Sequence, residues 1–126
     1  LCICRGFQLL CTIYGGELYQ HLPETEGYEN HGGWDGEVTE HGVDVIEGTK
    51  LQQIMGTHIN ANSTHHQGVF NAGNLSISAY SSHDNLIEAV EIEGLKFCIG
   101  VQWHPERIKH TSLYRAFIES ARGSSL

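Results

Sequence analysis

Hydrophobic positions along the chain predict three helices. Between residues 5 and 14 apolar side chains recur at i, i+3, i+4 and i+7, and Gly15-Gly16 end this amphipathic run. A second short helix is predicted between Thr49, as N-cap, and Gly56, as stop. An apolar stripe over residues 111–122 predicts a closing helix behind a Thr or Ser cap, packed on a sheet.

The segments between these helices have the spacing of strands. Apolar and polar residues alternate or cluster over residues 41–48, 58–62, 75–81 and 86–94. The apolar run from Phe97 to Val101 is typical of a strand buried on both faces. In this pattern Glu88, Glu91 and Glu93 are predicted to form a solvated strand face, and His83-Asp84 an exposed turn. Residues 23–36 have no periodicity and are predicted to form an irregular surface loop, in which Trp34 is a lid contact or a local anchor.

Composition excludes several classes of partner. The chain has 126 residues, a formal net charge of -8 and only seven Lys and Arg, so it lacks the basic stripe that nucleic acid or an anionic membrane requires. No long apolar run indicates a transmembrane helix or a signal peptide. The four cysteines have no CxxC or framework spacing, which favours reduced thiols and a cytoplasmic location over a disulfide-stapled secreted domain.

The candidate chemistry lies at the ends of two predicted strands. Cys4 falls where a strand passes into a helix, and Gly6 permits a tight turn, as in the thiol version of a nucleophile elbow. The helix N-terminus is expected to favour the thiolate, and the backbone N–H of Arg5 is a candidate oxyanion donor. His104 and Glu106, separated by Pro105, supply an imidazole base and a carboxylate that can orient it.

Three motifs in this order resemble one family. The segments ICRGFQLL, NSTHHQG and VQWHPE are similar to those of the class I glutamine amidotransferase-like superfamily, specifically its gamma-glutamyl-gamma-aminobutyrate hydrolase branch of cysteine hydrolases. The resemblance covers essentially the whole chain. It implies a three-layer α/β/α, doubly wound, flavodoxin-like fold, of which residues 1–126 are one partial domain, truncated at the N-terminus and holding the catalytic C-terminal half.

The resemblance also implies residue roles. It places Cys4 as nucleophile, His104 as general base and Glu106 as the residue that orients the base, with hydrolysis of a gamma-glutamyl amide through a thioester. The backbone of Arg5 is implied as oxyanion donor. Further implied substrate contacts are Gln8, His65, His66 and Gln67. No cofactor is implied, and the partner is a small gamma-glutamyl compound, with a homodimer left open.

Two departures from the family pattern leave alternatives open. Cys2 stands where family members usually carry glycine and is expected to crowd the elbow. The front half of the fold, which would supply a second oxyanion donor, is expected to be missing. A glutaminase module that delivers ammonia to a synthetase partner, and a non-catalytic fragment that retains the motifs, are therefore alternatives to the hydrolase.

A metal site is not expected from the sequence. His65 and His66 are adjacent, and successive side chains of an extended segment diverge, so the pair is a poor chelator. No Cys or Asp cluster has the spacing of a zinc finger. Taken singly, Cys4 would be a buried structural cysteine, and only the accompanying motifs favour a nucleophile.

Overall fold

The computed structural model describes residues 1–32 and 36–123, so Trp34 lies outside the described residues. In this part of the chain three helices pack on one sheet: Arg5–Ile13 (α1), Lys50–Met55 (α2) and Thr111–Ala121 (α3). The strands are Cys2–Ile3 (β1), Glu17–Tyr19 (β2), Thr39–Val45 (β3), His58–Ser63 (β4), Gly68–Asn71 (β5), Ser76–Ser81 (β6), Ile87–Glu91 (β7) and Ile99–Val101 (β8). No helix within these ranges is long and apolar enough to cross a membrane.

The sheet is mixed, and a parallel pair of strands positions the candidate chemistry. The main strand order is β1-β8-β7-β6-β3-β4, and β2 joins the sheet through β5, which pairs with β7. Among the described strands β1 and β8 are parallel and the other pairs are antiparallel. Because parallel neighbours end at the same edge, the residues that follow β1 and β8 emerge side by side. The predicted α/β fold class is confirmed.

Helices cover both faces of the sheet. Two neighbouring residues of β7 point to opposite sides: Ala89 belongs to the core that contains Leu51 of α2 and Leu113 of α3, and Val90 to the core that contains Phe7 of α1. The result is three layers, with α1 on one face and α2 and α3 on the other. Close approach of α1 depends on Gly100 of β8, since a Cβ there would lie 3.2 Å from Cδ1 of Phe7.

The start of α2 is held by a buried carboxylate from a distant strand. The side chain of Thr49 accepts the N–H of Gln52, as predicted for an N-cap. In addition, the carboxylate of Glu91 accepts the N–H groups of Lys50 at 3.0 Å and Leu51 at 3.3 Å. Glu91 is only 6% exposed. The prediction that Glu91 lies on a solvated strand face is therefore wrong, because the free N–H groups of a helix start draw the carboxylate inward.

His110 occupies the N-cap position of α3, so the predicted Thr or Ser cap is wrong. The His110 ring instead links the segment that follows β8 to β4. Nδ1 accepts a hydrogen bond from Nε1 of Trp103 at 3.1 Å, and the ring also bonds to the backbone of Asn60. Asn60 belongs to β4, the end strand of the described sheet.

Candidate active site

Cys4 sits in the strained turn that joins β1 to α1. Its φ of 52° and ψ of -103° lie in a region that residues with a Cβ rarely adopt. The turn is fixed at both ends, since the N–H of Cys4 donates to the Val101 carbonyl at 2.8 Å and its own carbonyl accepts the N–H of Gln8 at 3.0 Å. This is the geometry predicted for a nucleophile elbow.

Cys2 fits behind this turn. It pairs with Gly100 in the parallel ladder, and its Cβ lies 3.7 Å from the position that a Cβ on Gly6 would take. This is an ordinary van der Waals distance. The elbow thus forms with a side chain at the position where the family resemblance expects glycine.

The Cys4 thiol is partly buried and hydrogen-bonded. Burial raises its pKa above the ordinary value, while the backbone N–H of Arg5 and the Gln102 side chain act in the opposite direction without reversing the shift. Nε2 of Gln102 donates to Sγ at 3.5 Å. The start of α1 acts in the expected direction through the Arg5 N–H, but desolvation outweighs it, so the net shift in this resting site favours the thiol.

Two buried glutamines fix the orientation of the donor to Cys4. Nε2 of Gln8 donates both to Oε1 of Gln102 at 3.1 Å and to the backbone carbonyl of Gln67 at 3.0 Å. Since Oε1 of Gln102 accepts from Gln8, its amide nitrogen faces the thiol. Sequence reasoning missed Gln102; the available signal is a single amide in the otherwise apolar segment that ends at Trp103, where it is fully buried.

His104 and Glu106 form the pair that the sequence predicts. Nδ1 of His104 lies 2.7 Å from Oε2 of Glu106, which leaves Nε2 as the ring nitrogen able to take a proton. Partial burial, the largest single influence, acts to raise the pKa of Glu106, but the hydrogen bond from His104, a backbone hydrogen bond and the attraction to His104 and Arg107 together lower it below its ordinary value. Within residues 1–32 and 36–123 no hydrogen bond joins His104 to Cys4; such contacts often tighten only with substrate bound.

Asn62 clamps the backbone of His104. Its Oδ1 accepts the His104 N–H at 3.0 Å, and its Nδ2 donates to the His104 carbonyl at 3.1 Å. The side chain is buried at 5% exposure on β4. Sequence reasoning did not single out Asn62, because the contact spans 42 residues and β4 carries a second asparagine, Asn60.

A cavity of about 520 Å³ opens beside the thiol. Six of the predicted site residues line it: Cys4, Arg5, Gln8, His65, His66 and Gln67. The rest of its described wall comes from Leu9, Thr12, Leu18 and Thr64, so that wall carries one guanidinium and no carboxylate. His104 and Glu106 are not among these described lining residues, and the catalytic roles of all eight predicted residues stay predictions.

Comparison with known proteins identifies the family. A model of the peptidase C26 family matches residues 1–106, from the strand before the elbow to Glu106 of the His104–Glu106 pair. The chain belongs to the peptidase C26 family.

Relatives within and around the peptidase C26 family bear the names of amidotransferases and hydrolases. Rv2859c of Mycobacterium tuberculosis, which bears the name of a glutamine amidotransferase, is 36% identical over 122 residues. The gamma-glutamyl-gamma-aminobutyrate hydrolase PuuD of Escherichia coli is 37% identical over 114 residues. These alignments cover 96% and 82% of this chain but only 40% and 44% of the two relatives. The chain thus spans less than half the length of either protein.

Solved structures show the same fold. A protein of Thermoplasma acidophilum that is described as belonging to GMP synthase matches with a TM-score of 0.73 at 17% identity, over 96% of this chain and 57% of that one. A glutamine amidotransferase of Thermotoga maritima matches with a TM-score of 0.60 at 16% identity, over 95% of this chain and 48% of that one. At these identities the likeness concerns the fold alone. The predicted class I glutamine amidotransferase fold is confirmed.

Proposed function

We propose that the protein hydrolyses gamma-glutamyl amides with Cys4 as nucleophile, His104 as base and Glu106 as its orienting carboxylate. The observation that carries the proposal is the strained elbow of Cys4, placed beside the end of β8 and opening onto the cavity. Membership of the peptidase C26 family and the likeness to PuuD, a gamma-glutamyl-gamma-aminobutyrate hydrolase, support it.

The reaction proceeds in two halves. Nε2 of His104 removes the thiol proton of Cys4, and the sulfur adds to the amide carbonyl of the substrate. The backbone N–H of Arg5 stabilises the oxyanion. His104 then returns its proton to the leaving amine as the C–N bond breaks. Water, deprotonated by His104, opens the thioester, releases glutamate and restores the thiol, so that one water is consumed for each amide cleaved.

The resting thiol requires His104 for this chemistry. Because burial holds the pKa of Cys4 above its ordinary value, little thiolate is present before substrate binds. Nδ1 of His104 is already occupied by Glu106, so Nε2 is the nitrogen that accepts the proton. The donor on Gln102 stabilises the thiolate as it forms.

The cavity favours an anionic substrate. Its described wall holds the Arg5 guanidinium and no carboxylate, and its amides and hydroxyls are suited to the ammonium and carboxylate groups of a gamma-glutamyl moiety. Gln8, His66 and Gln67 are proposed as substrate contacts. His65 is not, because its Nδ1 bonds to the Gln67 carbonyl and its ring is buried against His31.

Release of glutamate from a gamma-glutamyl anilide tests the proposal. We expect turnover by the purified protein and its loss in Cys4→Ala, with Cys11→Ala as the matched control because Cys11 lies on the buried face of α1, in the core and away from the cavity lining. Absence of turnover with gamma-glutamyl amides would overturn the hydrolase. Hydrolysis of glutamine alone, increased by a synthetase partner, would favour the glutaminase module.

A further inference from the structure

Three histidines and a carboxylate that the proposed reaction does not use are buried together. His31 precedes β3, His41 lies in β3, His65 follows β4, and Glu88 lies in β7. Their exposed fractions are 3%, 8%, 6% and 0%, so the sequence-based expectation that Glu88 is solvated is wrong. The ring centroid of His31 lies 5.0 Å from that of His41 and 5.1 Å from that of His65.

Hydrogen bonds on the outer side of the cluster fix the tautomer of two rings. Nδ1 of His41 bonds to the Gly42 carbonyl at 2.9 Å, and Nδ1 of His65 bonds to the Gln67 carbonyl at 2.6 Å. A carbonyl only accepts, so both Nδ1 atoms carry the proton and both Nε2 atoms carry a lone pair.

The third ring is fixed by a carboxylate. Nε2 of His31 bonds to Oδ2 of Asp84 at 2.6 Å, with both side chains at or below 3% exposure. The turn predicted at His83-Asp84 is present and His83 is exposed, but the prediction is wrong for the Asp84 side chain, which is buried. Burial, the largest single influence, acts to raise the pKa of Asp84, but the hydrogen bonds from His31, Leu86 and Ser81 and the attraction to His31 together lower it. The carboxylate therefore accepts from Nε2 of His31, and in the neutral ring Nδ1 carries the lone pair.

The inner side of the cluster holds polar atoms without a hydrogen-bond partner in the described ranges. Among the described residues, Nδ1 of His31, Nε2 of His41, Nε2 of His65 and both oxygens of Glu88 are buried without a hydrogen-bond partner. Nε2 of His41 lies 3.4 Å from Oε1 of Glu88. Lone pairs that face each other in a buried site are unfavourable unless a positive charge or a proton lies between them. Burial raises the pKa of Glu88 well above its ordinary value, so that without an ion this carboxyl keeps a proton that a metal ion would displace.

We propose that His31, His41, His65 and Glu88 bind one zinc ion. Three imidazole nitrogens and one carboxylate oxygen form the set of four ligands that zinc accepts in a tetrahedral site. One ligand atom from each of His31, His65 and Glu88 lies within 4.8 Å of the other two. Zinc–ligand bonds of about 2.1 Å separate tetrahedral ligands by about 3.4 Å, so the ligand atoms of His31, His65 and Glu88 approach one another by up to about 1.4 Å when the ion binds. Nε2 of His41 already lies 3.4 Å from Oε1 of Glu88 and moves toward the other two ligands.

Each of the three histidines is oriented by a second hydrogen bond, as metal-ligating histidines generally are. Ligating histidines generally donate their second ring nitrogen to a carboxylate or a backbone carbonyl, and all three rings do so here, through Asp84, Gly42 and Gln67. Burial lowers the pKa of His65 to about 3, which keeps this ring in the neutral form that binds metal.

The zinc ion would be structural and would position the cavity wall. All four proposed ligands come from the protein, which leaves no open coordination site for a reaction. His65 is followed by His66 and Gln67, which line the cavity beside Cys4. The site does not use the adjacent pair His65-His66 that the sequence analysis rejected, because the fold draws its ligands from four separate segments.

Metal analysis of the purified protein tests this site independently of turnover. We expect one zinc per chain, removal by a chelator, and a rise in melting temperature when zinc is added back. Cobalt(II) added to the chelator-treated protein should give the intense visible absorption of a tetrahedral complex. His58→Gln is the matched control, since His58 is exposed and pairs with Asp44 outside the cluster.

Two variants separate zinc from a purely hydrogen-bonded cluster. Asp84 orients the His31 ring without being a proposed ligand itself. Asp84→Asn should therefore weaken zinc affinity by about 10- to 100-fold. If Glu88 is a zinc ligand, Glu88→Gln should abolish the cobalt absorption. If the cluster is held by hydrogen bonds alone, the new amide supplies the missing donor, and the chelator-treated variant should melt at or above the temperature of the wild-type protein. Wild-type protein that folds, contains no zinc and gives no cobalt absorption would overturn the site. A protein that binds zinc but does not hydrolyse gamma-glutamyl amides would contradict the proposed function and not the zinc site.

Discussion

Replacing Cys4 by glycine and by alanine measures the strain stored at the elbow. The φ of 52° and ψ of -103° cost a residue with a Cβ about 1–3 kcal/mol. Both substitutions remove the thiol, but only glycine removes the Cβ. Glycine also gains freedom in the unfolded chain, which costs about 0.4–1 kcal/mol of stability. At the middle of both ranges, Cys4→Gly is more stable than Cys4→Ala by about 1 kcal/mol.

Thermal unfolding resolves a difference of this size. An unfolding entropy of about 2.1 cal/mol/K per residue gives about 0.26 kcal/mol/K for 126 residues. A difference of about 1 kcal/mol then corresponds to about 4 °C in melting temperature. The expected order is Cys4→Gly above Cys4→Ala by about this amount.

A helical position supplies the control with the opposite sign. Arg115 is exposed in α3, where glycine should be less stable than alanine by about 1 kcal/mol. If the Arg115 pair behaves in this way while Cys4→Ala melts at or above Cys4→Gly, the backbone of Cys4 is unstrained and the elbow stores no energy.

Three further predictions concern the site and its supports. Asn62→Ala should lower kcat for gamma-glutamyl hydrolysis by about 10- to 100-fold with a smaller change in KM, because it frees the His104 backbone. An unchanged kcat in steady-state assays of glutamate release would show that Asn62 does not position His104. Glu91→Ala should reduce the free energy of unfolding in urea by about 1–3 kcal/mol, and Glu91→Gln by less, since its amide oxygen still accepts one N–H of α2; equal losses would show that the hydrogen bonds are unimportant. Alkylation of Cys4 by iodoacetamide, followed by mass spectrometry, should reach half its maximal rate at a pH above that of an ordinary thiol, because burial raises the pKa of Cys4. In Gln102→Leu this pH should be higher still, because the Gln102 donor, which lowers the pKa, is lost. Identical pH profiles of the two proteins would exclude the Gln102 contact.

Local signals in the sequence predicted the helices and most strands. The cap at Thr49 and the stop at Gly56, where φ is 86°, lie where the sequence places them. The short strands β2 and β5 were not predicted. They have three and four residues and contain little alternation, and pairing between them, rather than their own propensity, makes them strands.

Contacts between distant residues limited what could be predicted of the site. The elbow and the His104–Glu106 pair are local motifs, and the structure contains both. Gln102, Asn62 and the partners of Glu88 depend on which strands become neighbours. The alternation around Val90 correctly predicts the strand β7. The prediction that the second face of this strand meets water is wrong, because helices cover both faces of the sheet in this three-layer fold.

The link from Trp103 through His110 to Asn60 bears on association between molecules. β4 is an end strand of the described sheet, and an open strand edge can pair with another chain. His110 lies at this edge as a neutral ring that accepts from Trp103 at Nδ1 and bonds to the Asn60 backbone. Protonation of Nδ1 would break the bond from Trp103, but the bond to the Asn60 backbone favours the charged ring and would remain. One backbone group at this edge is therefore occupied by an imidazole in both charge states, which leaves less of the edge open to a strand of another chain.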